Sequence, residues 1–309
     1  MRQNYRTSED RDAPEPMQLI LQVAQVVAPV FLLAAIGFAW VRRGWAYDVE
    51  FVTRLAMTLS IPCLIFMALV RSDVDPRLLR DTVLAALVAY GVVGAVAWAL
   101  VRGLGFDMAT YWAPITFGNT GNLGLPIALF AFGQAGFDFA VVIFAVMAIF
   151  SFTFGVWVVA GGGNPLNAVR EPLVWGTLLG SAFLLLGWTV PVWIGNSLDL
   201  VGQMAIPLML ITLGVAIARL QPRSLGRAFW LCLAKLAICV AAPLGVGLAF
   251  GLPRLALGVL ILQVATPVAV TSYMLAAKYD ARPDEVAGLV VVSTLLAVPA
   301  IPLLLIFFV

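Results

Sequence analysis

Histidine is missing from all 309 residues, and only 11% of them are charged. The first absence removes the commonest proton shuttle and general base. The second removes the means of solvating a water-facing surface, since soluble domains carry roughly a quarter charged residues. With 62% of the residues hydrophobic, most of the outer surface has to face lipid. Cysteine is scarce too: Cys63, Cys232 and Cys239 stand inside apolar runs without metal-ligand spacing, which argues against disulfides and against a metal site. A net charge of +2 is too small to point to a nucleic-acid partner. Beyond the first sixteen residues, carboxylates are confined to loops or run ends, at Asp48, Glu50, Asp73, Asp75, Asp81, Asp107, Asp138, Glu171, Asp199, Asp280, Asp284 and Glu285. A relay of buried carboxylates therefore has no evident parts, and a sodium site would need backbone carbonyls and neutral side chains. Hydrolysis within a bilayer would need an activated serine or cysteine, paired aspartates or metal ligands. None stands at membrane depth, so the chain reads as no enzyme and implies no cofactor.

What is present is length in apolar runs. A bilayer core takes roughly 20 apolar residues per helix. Ten such runs can be counted, over approximately 17–41, 51–71, 80–101, 110–133, 137–160, 172–191, 198–218, 226–250, 254–278 and 285–308. The polar residues 1–16 lack the apolar core of a signal peptide and read as a disordered tail. An even number of spans puts both termini on one side. Arg42, Arg43, Arg54, Arg102, Arg170, Arg219, Arg223, Arg227, Lys278 and Arg282 fall in one set of loops. Arg71, Arg77, Arg80, Arg254 and the tail arginines fall in the other, so the positive bias predicts both termini on the non-cytoplasmic side.

Two irregularities recur at corresponding places. Run two contains Ile61-Pro62 and run seven contains Ile206-Pro207, with the proline at similar depth. Runs four and nine turn polar in their middles, as Phe117-Gly118-Asn119-Thr120-Gly121-Asn122-Leu123-Gly124-Leu125-Pro126 and as Gln263-Val264-Ala265-Thr266-Pro267-Val268-Ala269-Val270-Thr271-Ser272. Each pair is separated by five runs, and an odd repeat makes the second copy enter the membrane with opposite polarity. The pattern predicts an inverted repeat of five plus five, with 17–160 and 172–309 as its halves and 161–171 as linker.

Gly121, Gly124 and Pro126 favour an interruption of run four, and Pro267 one of run nine. A simple proline kink remains an alternative for both, more so for run nine, which has no glycine near its proline. Unwound backbone at that depth is tolerated only where it is buried in protein or lines a cavity. Two interrupted helices meeting there would turn two partial positive charges toward one cavity. An anion is the natural guest, held by Asn119, Thr120, Asn122, Gln263, Thr266, Thr271 and Ser272 through hydrogen bonds. Lys235 is the only charged side chain well inside a run. Either it snorkels to the nearer interface, or it faces the cavity and favours the anion or replaces a coupling cation.

Taken together, Ala28-Pro29-Val30-Phe31, Gly37 and Arg42-Arg43, Ile61-Pro62, Asn119-Thr120-Gly121 through Gly124-Leu125-Pro126, Lys235 with Pro243, Pro267 followed by Leu275-Ala276 and Tyr279, and Ser293-Thr294 with Pro299 resemble the auxin efflux carrier family. That family contains the plant PIN auxin exporters and bacterial carriers for malonate or other small carboxylates. The resemblance implies an all-α, ten-helix fold similar to bile-acid sodium symporters. Spans one, two, six and seven would form a scaffold, and spans three to five and eight to ten a transport domain with an elevator-like displacement. It further implies a homodimer and a substrate carboxylate beside Asn119 at the crossing of spans four and nine. Thr271 stands where many bacterial relatives carry asparagine, and the linker Gly161 to Asn167 is far shorter than the plant loop.

The sequence thus predicts a multi-pass inner-membrane carrier in contact with lipid, taking a small organic anion by alternating access. A sodium-coupled symporter of a larger anion and an anion channel are the alternatives.

Overall fold

The computed structural model describes residues 16–162, 172–220 and 224–308. Residues 1–15 of the expected tail and 163–171 of the expected linker, with Arg170, Glu171 and Arg223, lie outside the described residues. Every regular element among them is helical: α1 (Pro16–Arg42), α2 (Val49–Leu55), α3 (Ile61–Val70), α4 (Pro76–Gly103), α5 (Met108–Thr116), α6 (Leu125–Phe150), α7 (Val156–Val159), α8 (Pro172–Leu186), α9 (Val192–Gln203), α10 (Ala205–Arg219), α11 (Leu225–Ala249), α12 (Arg254–Val264), α13 (Val270–Lys278) and α14 (Pro283–Ile306). Wide π-type turns at Ala56–Ser60, Thr120–Gly124 and Ser151–Gly155 join α2 to α3, precede α6 and link α6 to α7. In hydrocarbon the backbone must satisfy its own hydrogen bonds, which is why these apolar runs become helices.

Among the described residues six stretches are long and apolar enough to cross a bilayer: Val49–Val70, Pro76–Gly103, Thr120–Val159, Val192–Arg219, Leu225–Ala249 and Pro283–Ile306. The chain is a multi-pass membrane protein. Apolar runs and uninterrupted helices do not coincide one to one. Run nine is split into α12 and α13, of 11 and 9 residues, and 11 residues reach only about 16 Å of the roughly 30 Å core. Run four is split likewise, and its second part continues into run five through a bend at Gly133, whose φ of 64° suits glycine. Both Ile-Pro segments follow an interruption. Pro62 stands in the first turn of α3 after the π turn, and Pro207 in the first turn of α10 after the turn at Met204. A missing amide hydrogen is harmless there, because first-turn N–H groups have no partner within the helix.

The helices pack as two groups. In one, α1 lies along α10, and α3 lies against α8 and α9. Small residues bring these backbones together, as in many membrane interfaces. A Cβ on Gly37 would overlap the Ile211 carbonyl, one on Gly214 would overlap the Ala34 carbonyl, and one on Gly176 would sit 2.8 Å from the Pro62 carbonyl oxygen. In the other group α4, α5, α6, α11, α12 and α14 pack together. At one end of it Arg227 of α11 donates to Glu285 of α14 and to the Tyr111 hydroxyl of α5 (both 3.2 Å), while Tyr111 also donates to Glu285. The groups meet where α1 and α3 touch α6 and where α10 touches the Thr120–Gly124 turn.

Gly214→Ala should strain the α1–α10 contact by about 1–3 kcal/mol and lower the unfolding temperature in detergent. Gly245→Ala, whose new methyl meets nothing within 4 Å, should leave it unchanged or raise it slightly, since alanine is the better helix former.

Candidate functional site

The helix α5 ends at Thr116, and Phe117 and Asn119 leave helical geometry. On the other side α12 ends at Val264 and α13 begins at Val270, with Ala269 extended. The two interruptions pair with each other: Gly118 and Val268 form an antiparallel bridge, and the Asn119 N–H donates to the Pro267 carbonyl at 2.7 Å. Two further backbone groups find side-chain partners. The Val268 N–H donates to Ser293 Oγ of α14 at 2.9 Å, and the Gln263 carbonyl accepts from Thr266 Oγ1 at 2.7 Å. The strands approach so closely that a Cβ on Gly118 would overlap the Thr266 hydroxyl. Pro126 follows this interruption and does not form it. It occupies the first turn of α6, while the break is made upstream, where Phe117–Asn119 exchange helix hydrogen bonds for the opposite segment. Pro267 lies within its own break, and Gly121 and Gly124 lie in the π turn. Such turns are frequent at functional sites.

On one side of the paired segments lies a cavity lined by Asn119, Gly121, Asn122 and Thr271. Met57, Ile61 and Met209 close it from the π turn before α3, from α3 itself and from α10. A neighbouring cavity adds Thr53 and Thr212 to Asn122 and Thr271, and the Tyr47 hydroxyl pairs with Thr212 Oγ1 at 2.8 Å. The first turns after both breaks, Thr120–Asn122 and Ala269–Thr271, thus border one space, and each places the positive end of a helix dipole there. Among the described residues no side-chain charge lines either cavity.

Four of the polar residues expected to bind ligand are fully buried or nearly so: Asn119 at 4% exposure, Thr120, Gln263 and Thr266 at 0%. Asn119 Nδ2, Thr120 Oγ1 and both amide atoms of Gln263 have no hydrogen-bond partner among the described residues. Each such group costs about 1–3 kcal/mol unless a polar molecule meets it. The seven residues are nevertheless not brought to one wall. Asn119, Asn122 and Thr271 share the cavity. Gln263 is turned toward Gly124, where a Cβ would overlap its amide. Thr266 faces the opposite side, beside Lys235 and Pro267. Ser272 is buried in the first turn of α13, its N–H bound to the Ala269 carbonyl at 3.0 Å.

Lys235 does not snorkel. It is 3% exposed, and its Nζ donates to the Ile115 carbonyl at 3.2 Å. Asp138, expected at a span end, is also buried, at 2% exposure, and accepts from Gln134 Nε2 at 2.8 Å. It follows the Gly133 bend, and that bend, invisible to hydropathy, tucks this helix start under neighbouring side chains. The cavity residues missed by sequence reasoning are Met57, Ile61, Met209 and Thr212. Ile61 belongs to one of the Ile-Pro pairs that mark the repeat and Met209 stands two residues after the other, which was the available signal.

Gly118→Ala should destabilise the paired segments by about 1–3 kcal/mol, read as a lower unfolding temperature. Adding Thr266→Ala should restore only part, because the Thr266 backbone oxygen would still lie 2.9 Å from the new methyl.

Residues 162–305 match the family described as "Membrane transport protein". An "Uncharacterized transporter" of Methanothermobacter thermautotrophicus is 26% identical over 294 residues, covering 90% of this chain and 96% of the relative. A Rhizobium meliloti protein named "Putative malonate transporter" is 22% identical over 307 residues, covering 91% and 94%. The family match over the second half of the chain, the near full-length relatives and the apolar helical architecture agree, and they make the chain similar to membrane transporters.

Proposed function

We propose that the protein is a secondary carrier of small organic anions that binds the substrate carboxylate between the two interrupted segments. The observation that carries this reading is the joint position of the two helix starts and the Asn119, Asn122 and Thr271 side chains on a cavity without any charged side chain. Backbone dipoles and amide donors suit a carboxylate there, and they spare the cavity the desolvation cost of a fixed cation. Hydrogen bonding without a fixed charge also lets the anion leave again, which a carrier requires. The malonate in the name of the Rhizobium meliloti relative agrees with a substrate of this class.

In this reading 17–160 and 172–309 are inverted five-helix repeats, and spans four and nine cross where the interruptions pair. The α1, α2, α3, α8, α9 and α10 group is the scaffold, and α4 to α7 with α11 to α14 are the transport domain. The division is supported by the packing, which is dense within each group and passes the cavity at their junction. Displacement of one group past the other would carry the cavity across the membrane, an elevator-type alternating access. A homodimer in the inner membrane, with both termini on the non-cytoplasmic side and lipid around it, completes the proposal.

A thermal-shift series on purified protein with malonate, other small carboxylates, neutral amides and amines tests the ligand class. Carboxylates should raise the unfolding temperature in a saturable way, and stabilisation by amines or neutral solutes alone would contradict the reading. In proteoliposomes, Asn119→Ala should reduce uptake of the stabilising carboxylate at least tenfold while the protein stays folded. Undiminished uptake would remove Asn119 from the site.

A further inference from the structure

The interruptions create two helix C-termini as well as two N-termini. The α5 helix ends at Thr116 and α12 at Val264, and each end carries roughly half an elementary negative charge on carbonyls that find no partner in their own helix. Both ends meet Lys235, α5 through the Ile115 carbonyl and α12 through the residues Ala265–Pro267 that follow it. A small separate cavity there is lined by Ala265, Thr266 and Pro267, just after α12, and by Lys235, Cys232 and Ser293. Lys235 Nζ donates to the Ile115 carbonyl in the last turn of α5 at 3.2 Å and lies 3.6 Å from Cys239 Sγ. Among the described residues no carboxylate pairs with it. Burying an ammonium costs several kcal/mol even after relaxation, so a site that keeps one at 3% exposure must offer compensating negative potential. The two helix ends sum to about one negative charge, which matches one ammonium.

We propose that Lys235 is a tethered cation, filling the position at the half-helix C-termini where a transporter of this architecture would otherwise coordinate a free monovalent cation. Half-helix C-terminal ends and unwound carbonyls are the elements that hold coupling ions in carriers with broken helices. With the charge supplied covalently, the site is permanently occupied. Both backs of the broken helices stay neutralised whichever way the cavity faces, and transport proceeds without sodium. The inference concerns the face opposite the anion cavity and holds whatever the substrate is, so a substrate-free readout can test it separately from the carrier reading.

The experiment measures unfolding temperature of the full-length protein in detergent at constant ionic strength. The wild type should unfold at the same temperature in sodium chloride and in choline chloride. Lys235→Ala, extracted and purified in propylammonium chloride, should lose several degrees when that salt is exchanged for choline chloride and recover them saturably on its return. Propanol, of similar shape without charge, should not restore it. Lys235→Met keeps the apolar length and removes the charge, so it should unfold below the wild type. If the lysine were only filler, relief of its desolvation cost would leave Lys235→Met as stable as the wild type or more so, and that result overturns the proposal. A saturable, sodium-specific stabilisation of the wild type, or equal rescue of Lys235→Ala by propanol and propylammonium, overturns it as well. Should Lys235→Ala give no folded protein, the Lys235→Met comparison decides alone.

Discussion

Everything at the centre of this protein depends on one backbone pairing between two interrupted helices, the Asn119 N–H on the Pro267 carbonyl with the Gly118–Val268 bridge beside it. A helix broken at membrane depth exposes amide and carbonyl groups that lipid cannot satisfy. Here each break satisfies part of the other's need, and Ser293 supplies a further acceptor to Val268. The pairing demands a close approach, which explains glycine at position 118, and it fixes the lateral position of four helix ends at once. Neither interruption would be tolerated without the other, so the two are parts of a single structural element drawn from distant stretches of chain.

From that pairing follows the distribution of charge. Helix starts at Thr120 and Val270 turn positive ends to the cavity with Asn119, Asn122 and Thr271, while the last turn of α5 and the residues after α12 meet the buried Lys235. Polar function is assembled almost entirely from backbone dipoles and amides, which fits a chain with 11% charged residues. Against this, the ion pairs are peripheral. Arg71 with Asp199 and the Arg227–Glu285–Tyr111 cluster tie neighbouring helices together and leave the cavity uncharged.

Much of this was legible in the sequence, because a polar residue within an apolar run is a strong signal in a membrane protein. The membrane class, the all-helical architecture and the two polar interruptions are read from composition and run length, and asparagines 119 and 122 fall at the cavity as their types imply. What hydropathy does not carry is direction. Thr266 and Thr271 stand a few residues apart in one polar segment, yet an extended turn sends them to opposite sides of the pairing. Lys235 is chemically able to snorkel, and its partners inside, among them the carbonyl of Ile115 on a different helix, are not visible in the sequence. Pro126 marks the neighbourhood of the break without forming it, since proline is equally at home in the first turn of the helix that follows. Run counting also differs from helix counting for a physical reason: an interruption that pairs with another segment leaves hydrophobicity unbroken while ending the helix.

The central claim is that the two interrupted segments build one binding site for an anion. The direct measurement is ligand protection from thiol modification, in a background with Cys63, Cys232 and Cys239 replaced by alanine. A cysteine is placed at Asn122 in one variant and at Thr271 in a second. The account predicts that malonate, or whichever carboxylate stabilises the protein, slows labelling of both positions with the same half-saturating concentration. Labelling rates that stay unchanged at both positions, in variants still stabilised by that carboxylate, would contradict it.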